Sequence, residues 1–224
     1  MKISVVIPVF NEEKYIANCL DTLVNQEEPA DEIIIVDNNS TDRTAWIVKK
    51  YPVILTHEKK QGMIPARNHG FNLAKYEIIA RTDADSRLPR TWIKQIKSHF
   101  LNQSIDALSG TLLYYDLLFP TTLFANIFFR YLNKTQGFDT LAGPNLAITK
   151  KMWNKIKNTC CQDERLVHED IDLAWHVHQA GGITKMDYSL IIQISARRIK
   201  HNPLSFFVEY PIRLRSTQRM HQPR

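Results

Sequence analysis

Cysteine is scarce in this chain, and its placement excludes two structural classes. Cys19, Cys160 and Cys161 are odd in number and two are adjacent, which is the spacing neither of a disulfide framework nor of a zinc site. A reducing, cytosolic setting is expected. No apolar run is long enough to span a bilayer, because the most apolar stretch, 112–132, is broken by Asp116, Pro120, Asn126 and Arg130. The opening "MKISVVIPVFNEE" has a short apolar run, lacks a small-residue cleavage site and passes straight into acidic residues, so it does not read as a signal peptide. Acidic residues are thin at the far end. Residues 197–224 hold Arg197, Arg198, Lys200, Arg213, Arg215, Arg219 and Arg224 against Glu209 alone. With a formal net charge of +6 and a pI near 9.2, the chain suits an anionic partner: nucleic acid, a nucleotide diphosphate or an acidic membrane face. No recognised RNA- or DNA-binding motif is visible, so nucleic acid is not the expected partner.

What is present is a core and a regular alternation. A chain of 224 residues, 44% of them apolar, can bury one sizeable core. "ISVVIPV" (3–9), "EIIIVD" (32–37), "VILTH" (53–57) and "YEIIARTD" (76–83) are β-branched runs with little alternation, as buried parallel strands require. Helix-like stretches lie between and after them at 12–26, 42–50, 64–75 and 89–101. Such alternation predicts a three-layer α/β sheet whose ligands sit at the carboxyl ends of the strands, where strand order reverses. The polar segments "FNEE", "DNNSTD" and "DADS" that follow the strands would then share one edge.

Each segment has a bland reading beside the functional one. Ser40 and Thr41 suit helix N-caps and Asp42 a first helical turn, whereas Asp37 ends a strand and fits a ligand or a turn equally. Arg67, in the first turns of a helix behind Gly62 and Pro65, opposes the helix dipole and hints at an anion. The i, i+2 pair Asp83 and Asp85 points one way from a strand, and two such carboxylates repel unless a cation sits between them. Glu169, Asp170 and Asp172 open a helix capped by Gly181 and Gly182, where acids ordinarily stabilise the dipole. His176 and His178 do not face each other on a helix, and they are expected, with His168, to be structural or surface residues.

"SVVIPVFNEEKYIANCLDTLVNQ", "EIIIVDNNSTDRT", "GMIPARNHGFNLAK", "DAD", "LAGPNLAITKKMW" (141–153) and "HEDIDLAWHVHQAGG" (168–182), in this order, resemble the family 2 glycosyltransferases. The resemblance implies a three-layer α/β/α GT-A fold with a mostly parallel central sheet. It also implies a catalytic domain over 1–200, with a nucleotide-binding half (1–110) and an acceptor-binding half (111–200), followed by a basic, aromatic segment (201–224). Pro8, Phe10 and Glu12 would lie against base and ribose, Asp37 would hydrogen-bond the base, and Arg67 would lie near the nucleotide. Asp83 would approach the ribose or a water on the metal, and Asp85 a Mn²⁺ or Mg²⁺ ion bridging the diphosphate, with His201 as a further metal ligand. Arg197 or Arg198 of "SARR" would steady the diphosphate. Gly143 and Asn145 would meet the acceptor, Asp170 would act as general base and Glu169 would assist it.

The implied activity is a metal-dependent, inverting transfer from a nucleotide-diphosphate sugar, a UDP-sugar being favoured, to an acceptor hydroxyl. A lipid-linked or cell-envelope glycan is among the acceptors considered. A helix after Pro120 would gather Leu123, Phe124, Ile127, Phe128 and Tyr131 opposite Asn126 and Arg130, to pack on the core or meet a membrane. Together with 207–220 it raises peripheral contact at the cytoplasmic face of a membrane. A haloacid-dehalogenase-like phosphatase using "DADS" as nucleophile and acid, and a non-catalytic nucleic-acid-binding domain, are the competing readings.

Overall fold

The computed structural model describes residues 1–118, 121–163, 165–202, 204 and 208–221. Its framework is a seven-stranded sheet built from β1 (Ile3–Val9), β2 (Glu32–Asp37), β3 (Ile54–His57), β4 (Ile78–Arg81), β5 (Ala107–Tyr114), β6 (Leu146–Thr149) and β7 (Thr184–Ile194). The order is β3-β2-β1-β4-β6-β5-β7, in which β6 alone runs antiparallel to its neighbours. From β1 the chain winds outward through β2 and β3, then returns to β4 on the other side of β1. The reversal leaves a crevice at the carboxyl ends of β1 and β4.

Two apolar layers enclose the sheet. Ile3, Val5, Ile7 and Val9 of β1 meet Ile16 and Leu20 of α1 (Ile16–Val24), Val48 of α2 (Thr44–Val48) and Trp92 and Ile96 of α4 (Trp92–Asn102). On the opposite face, Val6 joins Ala66 and Phe71 of α3 (Met63–Leu73), Trp153 of α6 (Lys150–Ile156) and Leu173 and Val177 of α7 (Glu169–Gln179). The period-two split of β1 between the layers is what a strand covered on both faces produces. The expected three-layer α/β/α arrangement is therefore present.

Some expectations are corrected. β3 is an open edge with Ile54 and His57 exposed, so only three of the four early runs are buried strands. Ser40 and Thr41 do not cap α2. They bind the β1 loop instead: the Asn11 N–H donates to Ser40 Oγ (3.0 Å) and the Thr41 N–H donates to Asn11 Oδ1 (2.8 Å). Asp42 lies two residues ahead of α2 rather than in its first turn, and its Oδ1 accepts the Thr44 N–H at 2.9 Å. Gly181, at φ 76°, ends α7 as the sequence suggests.

Helix α5 (Thr121–Gln136) does not pack its apolar stripe on the core, one of the two orientations expected of it. Phe129 and Leu132 are buried, and Asn126 turns inward to accept the Thr111 hydroxyl at 2.6 Å, leaving Leu123, Phe124, Ile127 and Tyr131 exposed. The short α8 (Arg197–His201) and α9 (Tyr210–His221) follow; Arg224 and Pro120 lie outside the described residues. Among the described residues no helix is long and apolar enough to cross a membrane.

Asn145, in the 3-10 turn Gly143–Asn145, is the polar anchor of the antiparallel segment. Its Oδ1 accepts the Trp92 indole N–H (2.9 Å), and its amide donates to the carbonyls of Thr111 (3.0 Å) and Leu190 (2.8 Å). Gly110 makes room for that amide, since a Cβ there would overlap both Asn145 Nδ2 and the Leu190 carbonyl. Gly110→Ala should lower unfolding stability by about 3 kcal/mol through overpacking; chemical denaturation measures it, and an unchanged midpoint would remove this constraint.

Candidate active site

The crevice between β1 and β4 collects its acidic groups from three strand ends and one helix start. Asn11 (φ 54°) and Asn39 (φ 69°) take the left-handed conformation that asparagine tolerates, turning the chain sharply after β1 and β2. The β1 loop is pinned to the β2 loop: the Glu12 N–H donates to Thr44 Oγ1 (2.7 Å) and the Glu13 N–H to Asp42 Oδ2 (3.0 Å). These bonds leave the Glu12 side chain facing the segment behind β4.

There Glu12 meets Asp85 through Arg197. The Arg197 guanidinium forks onto both oxygens of Glu12 and places its Nε 3.1 Å from Asp85 Oδ2, while its plane lies over the Tyr15 ring. Burial, foremost, and then the Asp83 charge push the Asp85 carboxyl up to about 7 against the opposing pull of Arg197. Glu12 is likewise raised, by burial first, with Arg197 opposing. The internal cation thus only partly offsets a concentration of negative charge. Thr82 and Ser86, flanking the aspartates, have buried hydroxyls without a hydrogen-bond partner.

The second half of the site is organised by buried arginines. Arg81, the last residue of β4, contacts Glu169 with Nη1 and Asp83 Oδ1 with Nη2, the latter at 3.0 Å. Arg67, on α3, also bonds the Glu169 carboxylate and donates to its main-chain carbonyl at 3.2 Å. Burial acts against the Arg81 charge, but the Glu169 and Asp83 carboxylates more than offset it and raise its pKa. Asp170 stands next along α7. Its Oδ2 accepts the Gly143 N–H at 2.7 Å, and its Oδ1 pairs with His168 Nδ1 and the Ile171 N–H. Burial pushes this carboxyl up, yet the charge and hydrogen bond of His168, the Gly143 N–H and the Arg81 charge hold it well below the usual carboxylate range.

Several expected residues sit differently from one another. Pro8 is buried within β1 and Phe10 is exposed at its end. Asp37 serves a turn, its Oδ1 accepting the Ser40 N–H at 3.1 Å, while Oδ2 lies 3.7 Å from His57 Nδ1. Arg67 is buried with its fork spent on Glu169 and Asn68, which makes it a support of α7. Asn145 spends its whole amide inside the core, so the acceptor contact expected of it is replaced by a bracing role. Asp172, expected as a cap or surface group, is buried against His176 and His221. Arg198 and His201 line, with Asn11, Tyr15, Asp42 and Arg197, an open cleft of about 440 Å³. His201 Nδ1 donates to the Arg197 carbonyl (2.8 Å), which leaves Nε2 available for a ligand.

Sequence reasoning missed Arg81 and the pairing of His168 with Asp170. A visible signal for the first was an arginine closing an otherwise apolar strand, because such a charge needs a buried partner. The second carried none, since a turn had to fold His168 back onto its neighbour's carboxylate. A divalent cation fits the crevice chemically. Asp85 is a desolvated carboxylate beside like charge, and one or two carboxylates with substrate oxygens are the donor set that Mg²⁺ or Mn²⁺ takes.

A sheet that reverses order between β1 and β4, with its acidic groups at that reversal, is the GT-A arrangement of nucleotide-sugar enzymes. The model for Glycosyl transferase family 2 matches residues 4–172, and the chain belongs to that family. It is 31% identical over 120 residues to the glycosyltransferase GlyG of Streptococcus pneumoniae, covering 51% of this chain and 40% of that protein. To the poly(ribitol-phosphate) beta-glucosyltransferase of Bacillus spizizenii it is 44% identical over 94 residues, 38% of this chain and 15% of that one. The chain thus spans two fifths or less of the length of these curated relatives. Its fold is similar to that of a mannosyltransferase from Pyrobaculum calidifontis in complex with GDP-Man and Mn²⁺, at a TM-score of 0.80 and 20% identity over 100% of this chain and 65% of that one.

Breaking a buried charge cluster by removing one member is costly. Arg81→Met, which leaves Glu169 and Asp83 short of a cation, should destabilise the protein by about 3–5 kcal/mol. Equilibrium denaturation tests this, and a loss under about 1 kcal/mol would show the cluster to be solvated.

Proposed function

We propose that the protein transfers a sugar from a nucleotide-diphosphate sugar to an acceptor hydroxyl with inversion, using a divalent metal at Asp85. The observation that supports this most is the Asp85 carboxyl itself, buried beside Asp83 and matched by Arg197 at the crevice where the sheet reverses. In this reading Asp83 and Asp85 face ribose and metal, Asp37 the base, and Arg197 and Arg198 the diphosphate. His201 Nε2 would complete the metal's protein ligands. Mn²⁺ or Mg²⁺, when bound, offsets the charge that accumulates on the departing diphosphate.

Asp170 is the proposed base. It lies beside the Gly143 turn, remains ionised and is oriented by three hydrogen bonds, so a hydroxyl entering past Gly143 can deliver its proton to the carboxylate as its oxygen attacks the anomeric carbon. His168, already paired with Oδ1, stabilises the charge there and sets how basic the carboxylate is. Glu169 holds its place through Arg67 and Arg81. For the acceptor we favour a cell-envelope glycan or polyol phosphate, as the poly(ribitol-phosphate) relative's name suggests for that protein. A cytosolic setting is our reading of the three unpaired cysteines.

Metal must displace the proton from Asp85, so calorimetric binding of UDP or GDP with Mn²⁺ should weaken roughly tenfold per pH unit below about 7 and level off above it. The same raised pKa means that the folded protein holds an extra proton between about 4 and about 7, and its stability falls as pH rises through that window. Asp85→Asn should abolish the metal-dependent part of binding; unchanged binding would end the metal assignment. Asp170→Asn should keep nucleotide affinity and lower the transfer rate by about a hundredfold or more. His168→Gln should cost less, and full activity in Asp170→Asn would remove it as the base.

A further inference from the structure

A second set of ligating side chains lies on the far side of α7. Asp172 follows Asp170 by two residues, which on a helix turns it about 200° away. Its carboxylate faces Cys160, from the segment after α6, and His176, one turn further along α7. The ligand atoms of these three lie within 4.8 Å of one another, the one such set of three among the described residues. His221, at the end of α9, donates to the same Asp172 Oδ1 from 2.8 Å, while His176 Nε2 lies 3.6 Å from that oxygen.

We propose that Cys160, Asp172 and His176, with His221 as fourth ligand, bind a zinc-type divalent ion that clasps α9 to α7. Thiolate, imidazole and carboxylate are the donors that Zn²⁺ accepts in tetrahedral sites, and thiolate and imidazole set it apart from Mg²⁺ or Mn²⁺. Ligand atoms around tetrahedral zinc sit about 3.3–3.8 Å apart, so Cys160, Asp172 and His176 need to contract by only about 1 Å, and His221 is to exchange its bond to Asp172 for the ion.

The surroundings behave as supports. The Cys161 N–H fixes Asp172 Oδ2 at 3.0 Å, which leaves Oδ1 directed at the cluster. Trp175 stacks on the His221 ring at 5° between planes, and the His176 ring packs edge-on against it. Such partners orient ligands. The Cys160 thiol has a long bond to the Ile156 carbonyl (3.4 Å), and it would give up its proton to the solvent on coordination. Because the ligands come from residues 160, 172, 176 and 221, no compact spacing announces them. The proposal stands independently of the donor-site metal.

The test uses the full chain carrying Asp85→Asn, stripped with a chelator and titrated with Co²⁺. Expected is a single Co²⁺ per chain with visible d–d absorption and a near-ultraviolet thiolate-to-cobalt band, both displaced by Zn²⁺. Cys160→Ser should remove the thiolate band, Cys161→Ser should keep it, and His221→Gln should weaken binding about tenfold or more. Should Cys160→Ser not fold, thermal unfolding supplies the second readout: Zn²⁺ should raise the Tm of the unsubstituted chain, and His176→Gln should abolish the rise. Absence of the thiolate band, its survival in Cys160→Ser, or a Tm indifferent to Zn²⁺ would overturn the proposal.

Discussion

The buried contact between the Arg81 guanidinium and the Glu169 carboxylate is the interaction on which the rest of the site depends. It joins residues 88 positions apart, the end of β4 and the start of α7. Each group helps to match the other's charge in that interior, where a charge short of partners costs several kcal/mol. The pair therefore fixes where α7 begins. Asp170 follows by one residue and so falls against the Gly143 turn. The same guanidinium, through its other terminal nitrogen, holds Asp83. One side chain thereby sets the position of carboxylates on both halves of the crevice, and Arg67 doubles its hold on Glu169.

Charge at the crevice is balanced unevenly. Glu169 and Asp83 are matched by arginines in the fold itself, and Asp170 is well served by His168 and a main-chain N–H. Asp85 and Glu12 share Arg197, which arrives on a short helix near the far end of the described chain, and the two acids keep raised pKa values all the same. Glu169 and Asp170 each have several partners, whereas Asp85 and Glu12 share one guanidinium and are raised by burial foremost.

Much of this architecture was legible in the sequence. The bounds of β1 and β2 are those of the runs "ISVVIPV" and "EIIIVD", because strands covered on both faces read as near-continuous apolar stretches. The acids behind those strands read as one site once parallel strands were inferred, since parallel packing puts every strand's exit on one edge. What stayed hidden depends on partners distant in sequence. Ile54 belongs to a run as apolar as its neighbours, and nothing local says that β3 closes the sheet. The α5 stripe reads outward or inward alike until Thr111 captures Asn126. Asp172 looks like a helix-dipole acid until His221, 49 residues on, is brought against it. Asn145 reads as a binding residue because the demand of Trp92, Thr111 and Leu190 for its amide exists only in three dimensions.

The bond between Arg197 and Glu12 spans 185 residues, and it carries a consequence for how the protein comes into being. Contacts so remote in sequence form late, after the loop entropy they close has been offset by nearer ones. As the chain leaves the ribosome, β1, β2 and β4 can pair while Glu12 and Asp85 still lack Arg197 and the Arg81 guanidinium is spent on Asp83. Through that interval the nascent crevice carries excess negative charge, and a mobile cation that settled there would hold the two carboxylates together until Arg197 takes its place.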